Sequence, residues 1–137
     1  MRKLAFIVVG ICAVLQCAAA DNEISSEVLV KTQTSWDGSA LPEQNLKNPE
    51  ISIVRTKIAP GAELKMHKHQ MINAGYIVKG ELEIISADGG RKVAKAGDCV
   101  VELVNKAHFG RNIGGGEVEI LLFYIGEKGA PRADMAK

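Results

Sequence analysis

Short stretches in which apolar and polar residues alternate follow one another along most of this chain. They are EVLVKTQTSW (27–36), ISIVRTKI (51–58), LKMHKH (64–69), INAGYIVKG (72–80), ELEIIS (81–86), RKVAKAG (91–97), DCVVEL (98–103), AHFGRN (107–112) and EVEILLFYIG (117–126). A period of two places successive side chains on opposite faces of a strand, and no stretch sustains a helical period. The pattern predicts an all-β protein, either a sandwich or a barrel.

Residues typical of turns separate these stretches. A polar connection with two prolines covers residues 37–50, ADGG at 87–90 predicts a hairpin turn, and three glycines occupy 114–116. The last residues, GEKGAPRADMAK (126–137), are polar and are expected to be frayed.

The chain begins with a segment that predicts export. In residues 1–20, MRKLAFIVVGICAVLQCAAA, two basic residues precede a short apolar run that ends in the A-x-A pattern of a cleavage site. The run is short for a membrane span, which disfavours an uncleaved anchor. A lipoprotein would require acylation at Cys17, and the large Gln16 before it disfavours this. We therefore expect a signal peptide at 1–20, a single domain at 21–137, and a periplasmic or secreted location with no membrane attachment after cleavage.

Charge and cysteine content exclude two properties of the exported part, a nucleic-acid-binding surface and an internal disulfide. The sequence has 17 Lys and Arg against 16 Asp and Glu, and Arg2 and Lys3 belong to the leader, so 15 basic and 16 acidic residues remain, a net charge of about −1. This balance predicts no nucleic-acid surface. Cys99 is the one cysteine after residue 20, so no internal disulfide is expected, and its place in a strand suggests a small buried side chain.

Histidines are the candidate chemical groups. His67 and His69 are two positions apart in a predicted strand and so point to the same face, where both could bind one ion. A lone HxH pair is a weak signal. A second stretch, residues 97–112, supplies His108, the third and last histidine of the chain.

The two stretches resemble the two sequence motifs of the cupin family. In the first motif, at 61–80, Gly61, His67, His69 and Gly80 are in register; in the second, at 97–112, Gly97, His108 and Asn112 match. The chain departs from the family pattern at three positions, with Asn73 in place of the usual glutamate ligand, Leu103 in place of proline, and Asn105 in place of a turn glycine. Asparagine tolerates a left-handed turn better than most residues. The resemblance implies a cupin jelly-roll barrel.

The resemblance also implies a metal site formed by His67, His69 and His108, with Asn73 as a candidate fourth ligand. Three imidazoles suit divalent Fe, Mn, Cu, Ni or Zn without choosing among them. Asn73 offers only a neutral carbonyl oxygen, so the coordination sphere should be more open than with glutamate. Gly75, on the same face, should leave room above the ion. The alternative is a cupin that has lost its metal and keeps the histidines as ordinary polar groups.

The strand that carries the first two histidines has a conflict of parity. If His67 and His69 point into the barrel, Leu64 and Met66 point outward. Either a bulge changes the parity or another element covers these apolar side chains, and the candidates for a cover are residues 27–36 or a second subunit. We expect a homodimer.

Two classes of function remain open. The first is a metal-dependent oxygenase or related enzyme that acts on a small molecule; the second is a non-catalytic periplasmic module that binds a metal or small ligand. No histidine is left to act as a base, and no carboxylate occupies a motif position.

The other residues singled out in the sequence are expected to have structural roles. Asn112 should tie a loop, Lys65 and Lys68 should face water, and a core or interface position is expected for Trp36, Phe109, Phe123 and Tyr124.

Overall fold

A computed structural model describes residues 24–136 of the chain. The predicted signal peptide and the start of the domain at residue 21 lie outside this range. Within the range the secondary structure consists of strands and turns, which confirms the all-β prediction. A helix long and apolar enough to cross a membrane is absent from residues 24–136.

In the described part of the chain, nine strands form two antiparallel sheets. The strands are β1 (Pro49–Ile58), β2 (His67–Lys68), β3 (Ile72–Lys79), β4 (Glu81–Ser86), β5 (Arg91–Lys95), β6 (Cys99–Val101), β7 (His108–Asn112), β8 (Val118–Glu127) and β9 (Asp134–Met135). One sheet has the order β1-β8-β3-β6 and the other β5-β4-β7-β2-β9. Sequence neighbours such as β3 and β4 lie in different sheets, which is the arrangement of a jelly roll and confirms the predicted fold.

The core lies between the inner faces of the two sheets. Alternate residues of the long strands point inward, as in β8, where Val118 and Ile120 are buried and Phe123 and Ile125 face outward. The buried cluster combines aliphatic residues from both sheets: Ile58, Ile77, Leu82, Ile84, Ala94, Val100, Val118 and Ile120. Trp36 packs against this cluster, as expected, and Leu122 joins it.

A bulge resolves the parity conflict around the histidines. Glu63 pairs with Arg111, and His67 pairs with His108. From 63 to 67 there are four steps along the first segment, but from 111 to 108 there are only three along its partner, so the first segment contains one extra residue. The extra residue reverses the inward and outward faces, as β-bulges do. Leu64 therefore points toward the interior on one side of the bulge, and the histidines do so on the other. The parity conflict gives no reason to invoke a covering subunit.

The predicted strand at residues 27–36 is wrong. Its apolar side chains Val28, Leu29 and Val30 are exposed, and the segment lies along the outer face of the β1-β8-β3-β6 sheet. Only its end is anchored, since the Trp36 amide donates to the Val101 carbonyl at 2.9 Å. β-propensity depends on context, and this segment has no partner strand in the described chain.

The prediction of a frayed C-terminus is also wrong. β9 pairs with β2, with Met135 opposite His67 and Asp134 opposite Lys68. The Ala136 amide extends this pairing by donating to the Met66 carbonyl at 3.0 Å. The tail therefore forms the edge of the sheet that carries the histidines.

Candidate metal centre

The three histidines come together at one wall of the barrel. His67 opens β2, His69 follows it, and His108 opens β7 directly opposite His67. The ring centroids are 4.8 to 5.1 Å apart, and one nitrogen from each ring lies within 4.8 Å of the other two. This spacing would allow three imidazoles to share one ion. The sequence prediction that brought these three residues together therefore agrees with the fold.

A backbone carbonyl orients each ring. Nδ1 of His67 donates to Lys65 O at 2.8 Å, and Nδ1 of His108 donates to Lys106 O at 2.9 Å. Nδ1 of His69 donates to Arg132 O at 2.6 Å. A carbonyl oxygen can only accept, so the hydrogen of each neutral ring is on Nδ1 and the Nε2 lone pair is free. Such hydrogen bonds from the distal nitrogen are typical of metal-ligating histidines.

Burial sets the electrostatics of the site. Burial lowers the pKa of His69, against the opposing effects of its hydrogen bond to Arg132 and the negative charge of Glu102. Burial also disfavours a charged His108, but the Glu102 carboxylate outweighs this and raises the pKa of His108 above its ordinary value. Glu102 therefore favours the protonated form of both buried histidines, and burial prevails over it only at His69.

Glu102 is the residue that sequence reasoning missed. It directly follows β6, is 6% exposed, and places Oε2 3.0 Å from Nε2 of His108. The two atoms form an ion pair when His108 is protonated, and neither has another hydrogen-bond partner among the described residues. The sequence contains a sign of this buried glutamate. Glu102 is two positions after the core residue Val100, so both side chains should point to the same face of an otherwise apolar strand.

Asn73 occupies the inner face of β3 and is 1% exposed. Neither its Oδ1 nor its Nδ2 has a hydrogen-bond partner among the described residues. Gly75 does not leave open space above the histidines, contrary to expectation. A Cβ there would lie 2.5 Å from Cδ1 of Ile120, so the wall side chains of β8 fill the space.

A cavity of about 350 Å³ adjoins the histidines. Its polar lining consists of His67, His69, His108 and Glu102, with Tyr124 beside His69, and of Thr56 and Lys65. Most of the remaining wall is aliphatic: Ile58, Leu64, Leu82, Ile84, Ile120, Leu122 and Met135. Burial raises the pKa of Tyr124 to about 12, so its hydroxyl keeps its proton at neutral pH. Tyr124 was expected to be a core or interface residue; it is buried in the core, 7% exposed, and also forms part of the cavity wall.

Other residues singled out in the sequence have structural roles. Nδ2 of Asn112 donates to Ile58 O at 2.9 Å and to Gly116 O at 2.7 Å, which ties the loop as expected. Asn105 adopts φ 58°, the left-handed turn expected where the family has glycine. Lys65 and Lys68 are exposed. Cys99 is only half-buried and lies on the outer face of the sheet beneath residues 28–30, so the expectation of a buried core cysteine is wrong.

The sequence profile of the Cupin_2 family, described as cupin domain, matches residues 54–124, which is more than half of the chain. This protein therefore belongs to the cupin family. No curated protein sequence matches it.

Solved structures share the fold. An oxalate oxidase bound to the substrate analogue glycolate is 23% identical, with a TM-score of 0.55, over 63% of this chain and 46% of its own. The DMSP lyase DddQ from Ruegeria pomeroyi is 16% identical, with a TM-score of 0.55, over 63% and 43%. An RmlC-like cupin from Shewanella frigidimarina is 26% identical, with a TM-score of 0.50, over 58% and 69%. The chain spans less than half of the oxidase and of the lyase.

Proposed function

We propose that this protein is an exported metal-dependent enzyme, an oxygenase or a related cupin enzyme, that acts on a small organic molecule. One observation carries this proposal: the three histidines, whose ligand nitrogens lie within 4.8 Å of one another, line a cavity of about 350 Å³ together with the buried Glu102. A site built only to store a metal has no need of an adjoining chamber with apolar walls.

His67, His69 and His108 are the proposed ligands of a divalent transition metal such as Fe, Mn, Cu, Ni or Zn. The donor set fits such an ion, because the rings are oriented through Nδ1 and the buried Nε2 of His108 has no hydrogen-bond partner in the described part of the chain. When bound, the metal would supply Lewis-acid or dioxygen chemistry.

The cavity wall indicates the class of substrate. Aliphatic side chains form much of it, and the three histidines and Glu102 supply its main polar groups, with Tyr124, Thr56 and Lys65 also in the lining. A small molecule with one metal-binding oxygen group and an apolar body fits this division. A uniformly polar molecule would lose its hydration against the aliphatic wall without compensating hydrogen bonds.

The chain's own residues have defined tasks in such an enzyme. The Tyr124 hydroxyl, protonated at neutral pH, can donate a hydrogen bond to a substrate oxygen. The aliphatic wall excludes water from the apolar body of the substrate. Lys65 lies at the rim, where its exposed ammonium would attract anionic substrates.

Nitric oxide binding to the Fe(II)-loaded protein, followed by electron paramagnetic resonance, tests for the open coordination position that an oxygenase needs. Oxygen uptake should then be screened with short carboxylic acids and carbonyl compounds that carry an apolar group. Leu64, 38% exposed at the cavity, provides a blocking variant. Leu64→Trp should retain metal and lose turnover. A metal that binds no nitric oxide would instead indicate a non-catalytic binding module.

We also propose that the mature protein is periplasmic or secreted, on the strength of the leader at residues 1–20, and that it forms a homodimer. Support for the dimer comes from the outer face of the β1-β8-β3-β6 sheet. Ile53 is 64% exposed there and is paired with Phe123, which is 42% exposed, and Ile51 and Ile125 extend the patch. Such an apolar face on a long edge strand favours a second copy. Light scattering should give twice the chain mass for the wild type and a monomer for Ile53→Glu.

A further inference from the structure

We propose that Glu102 supplies the fourth metal ligand, so that the carboxylate missing at Asn73 is provided from the neighbouring strand. This inference rests on the proposed metal centre and deepens it. It differs from the sequence expectation, in which Asn73 was the candidate for the fourth position.

The fold places Glu102 beside the position of the missing carboxylate. Tyr124 on β8 is paired with Asn73 on β3, and the Glu102 amide donates to the Asn73 carbonyl at 3.0 Å. The three residues therefore form one row across the inner face of the sheet. From this position, one strand away from Asn73, the Glu102 carboxylate reaches within 3.0 Å of Nε2 of His108.

The backbone of Glu102 is held on both sides. Its amide is bonded to Asn73, and its carbonyl accepts a hydrogen bond from Oγ of the buried Ser35 at 2.8 Å. Trp36, bonded to Val101, fixes the same edge. A ligand needs such support, because a carboxylate that must be ordered on binding contributes less affinity.

Oε2 of Glu102 and Nε2 of His108 face each other, and neither atom has another partner in the described chain. The two atoms lie 3.0 Å apart, and both are buried. A buried carboxylate oxygen without a partner is costly, as is an imidazole lone pair. A metal ion bound by Oε2 of Glu102 and Nε2 of His108 would be a partner for both atoms. The carboxylate would also offset part of the positive charge of the ion, which the neutral amide of Asn73 cannot do.

The experiment compares wild type, Glu102→Gln, Asn73→Ala and Glu81→Gln. Glutamine preserves the shape of Glu102 and removes its charge, while Glu81 is exposed outside the cavity and controls for the loss of one negative charge. Zn²⁺ affinity is measured by competition with a chromophoric chelator, and the visible spectrum of the Co²⁺-substituted protein reports the ligand set. Thermal unfolding of each apoprotein shows that the variants are folded.

We expect Glu102→Gln to weaken Zn²⁺ binding by about 10- to 100-fold and to change the Co²⁺ spectrum. Asn73→Ala and Glu81→Gln should remain near wild type. A Zn²⁺ affinity of Glu102→Gln within about twofold of wild type, or an unchanged Co²⁺ spectrum, would overturn the assignment and leave Glu102 as a neighbour of His108 only. If the wild type itself binds neither ion, the proposed metal centre fails as well, so the two failures are distinguishable.

Discussion

The carbonyl oxygen of Arg132 accepts a hydrogen bond from Nδ1 of His69 at 2.6 Å, across 63 positions of sequence. This contact makes the C-terminal tail a part of the histidine cluster. β9 brings the tail to this position by pairing with β2. The orientation of one proposed ligand thus depends on residues whose sequence carries no motif.

Deletion of residues 132–137 should therefore weaken metal binding. Without its acceptor, His69 loses the hydrogen bond that orients its ring, and loss of such a partner typically costs 10- to 100-fold in affinity. Chelator competition with Zn²⁺ measures the change. Asp134→Ala is the matched control, since it removes the contact with Gln70 and leaves the Arg132 carbonyl in place. Equal affinity in the truncated and full-length proteins would show that the tail does not orient His69.

Gly75→Ala should destabilise the protein. The new methyl group would lie 2.5 Å from Cδ1 of Ile120 and 3.1 Å from Cδ2 of Leu122, so the β8 side chains must shift into the cavity. Overpacking of this kind costs about 1–3 kcal/mol of unfolding free energy. Urea unfolding provides the measurement. Gly115→Ala, where nothing lies within 4 Å of the added carbon, should remain close to wild type.

Asp37 links the N-terminal segment to the barrel in a pH-dependent way. Burial opposes its ionisation, but Lys106 and Ser39 overcome this and lower the pKa of Asp37 to about 2. The Asp37 carboxyl binds its proton more tightly in the unfolded chain than in the folded protein. The ionised carboxylate therefore stabilises the folded state fully above about pH 4, and this stabilisation disappears as the pH falls through about 2. Asp37→Asn should cost about 1 kcal/mol near pH 7 and almost nothing at pH 2. A cost that stays constant over this range would contradict the assignment.

Processing of the leader can be tested by mass. Expressed in a host with a general secretory pathway, the protein should be recovered outside the cytoplasm with an intact mass that begins at Asp21. Ala18→Arg should block cleavage, because the A-x-A site requires small residues. A full-length product in the cytoplasm of cells that express the wild type would disprove export.

The sequence predicted the parts of the fold that depend on local pattern. The alternating strands from residue 51 onward follow from periodicity. The left-handed turn at Asn105 and the convergence of His67, His69 and His108 were implied by the resemblance to the cupin motifs. The Asn112 ties were predicted on the same basis. The period-two pattern of the strands needs no knowledge of which strands pair, whereas the convergence of the histidines depends on the pairing of β2 with β7.

The features that depend on pairing were missed. The bulge before His67 is visible only once the register with β7 is known, and β9 is two residues long with no pattern of its own. Residues 27–36 have strand composition, but no strand of the described chain pairs with them to complete a sheet. Glu102 could have been suspected from its parity with Val100, yet its approach to His108 requires both sheets to be in place.

The most direct test of the account is the metal content of the mature protein, purified from its native compartment without an affinity tag or chelator. Elemental analysis should find near-stoichiometric Fe, Mn, Cu, Ni or Zn in the wild type and its loss in His108→Ala, with the barrel still folded by circular dichroism. A wild-type protein that carries no such metal and takes up none on titration would contradict the account.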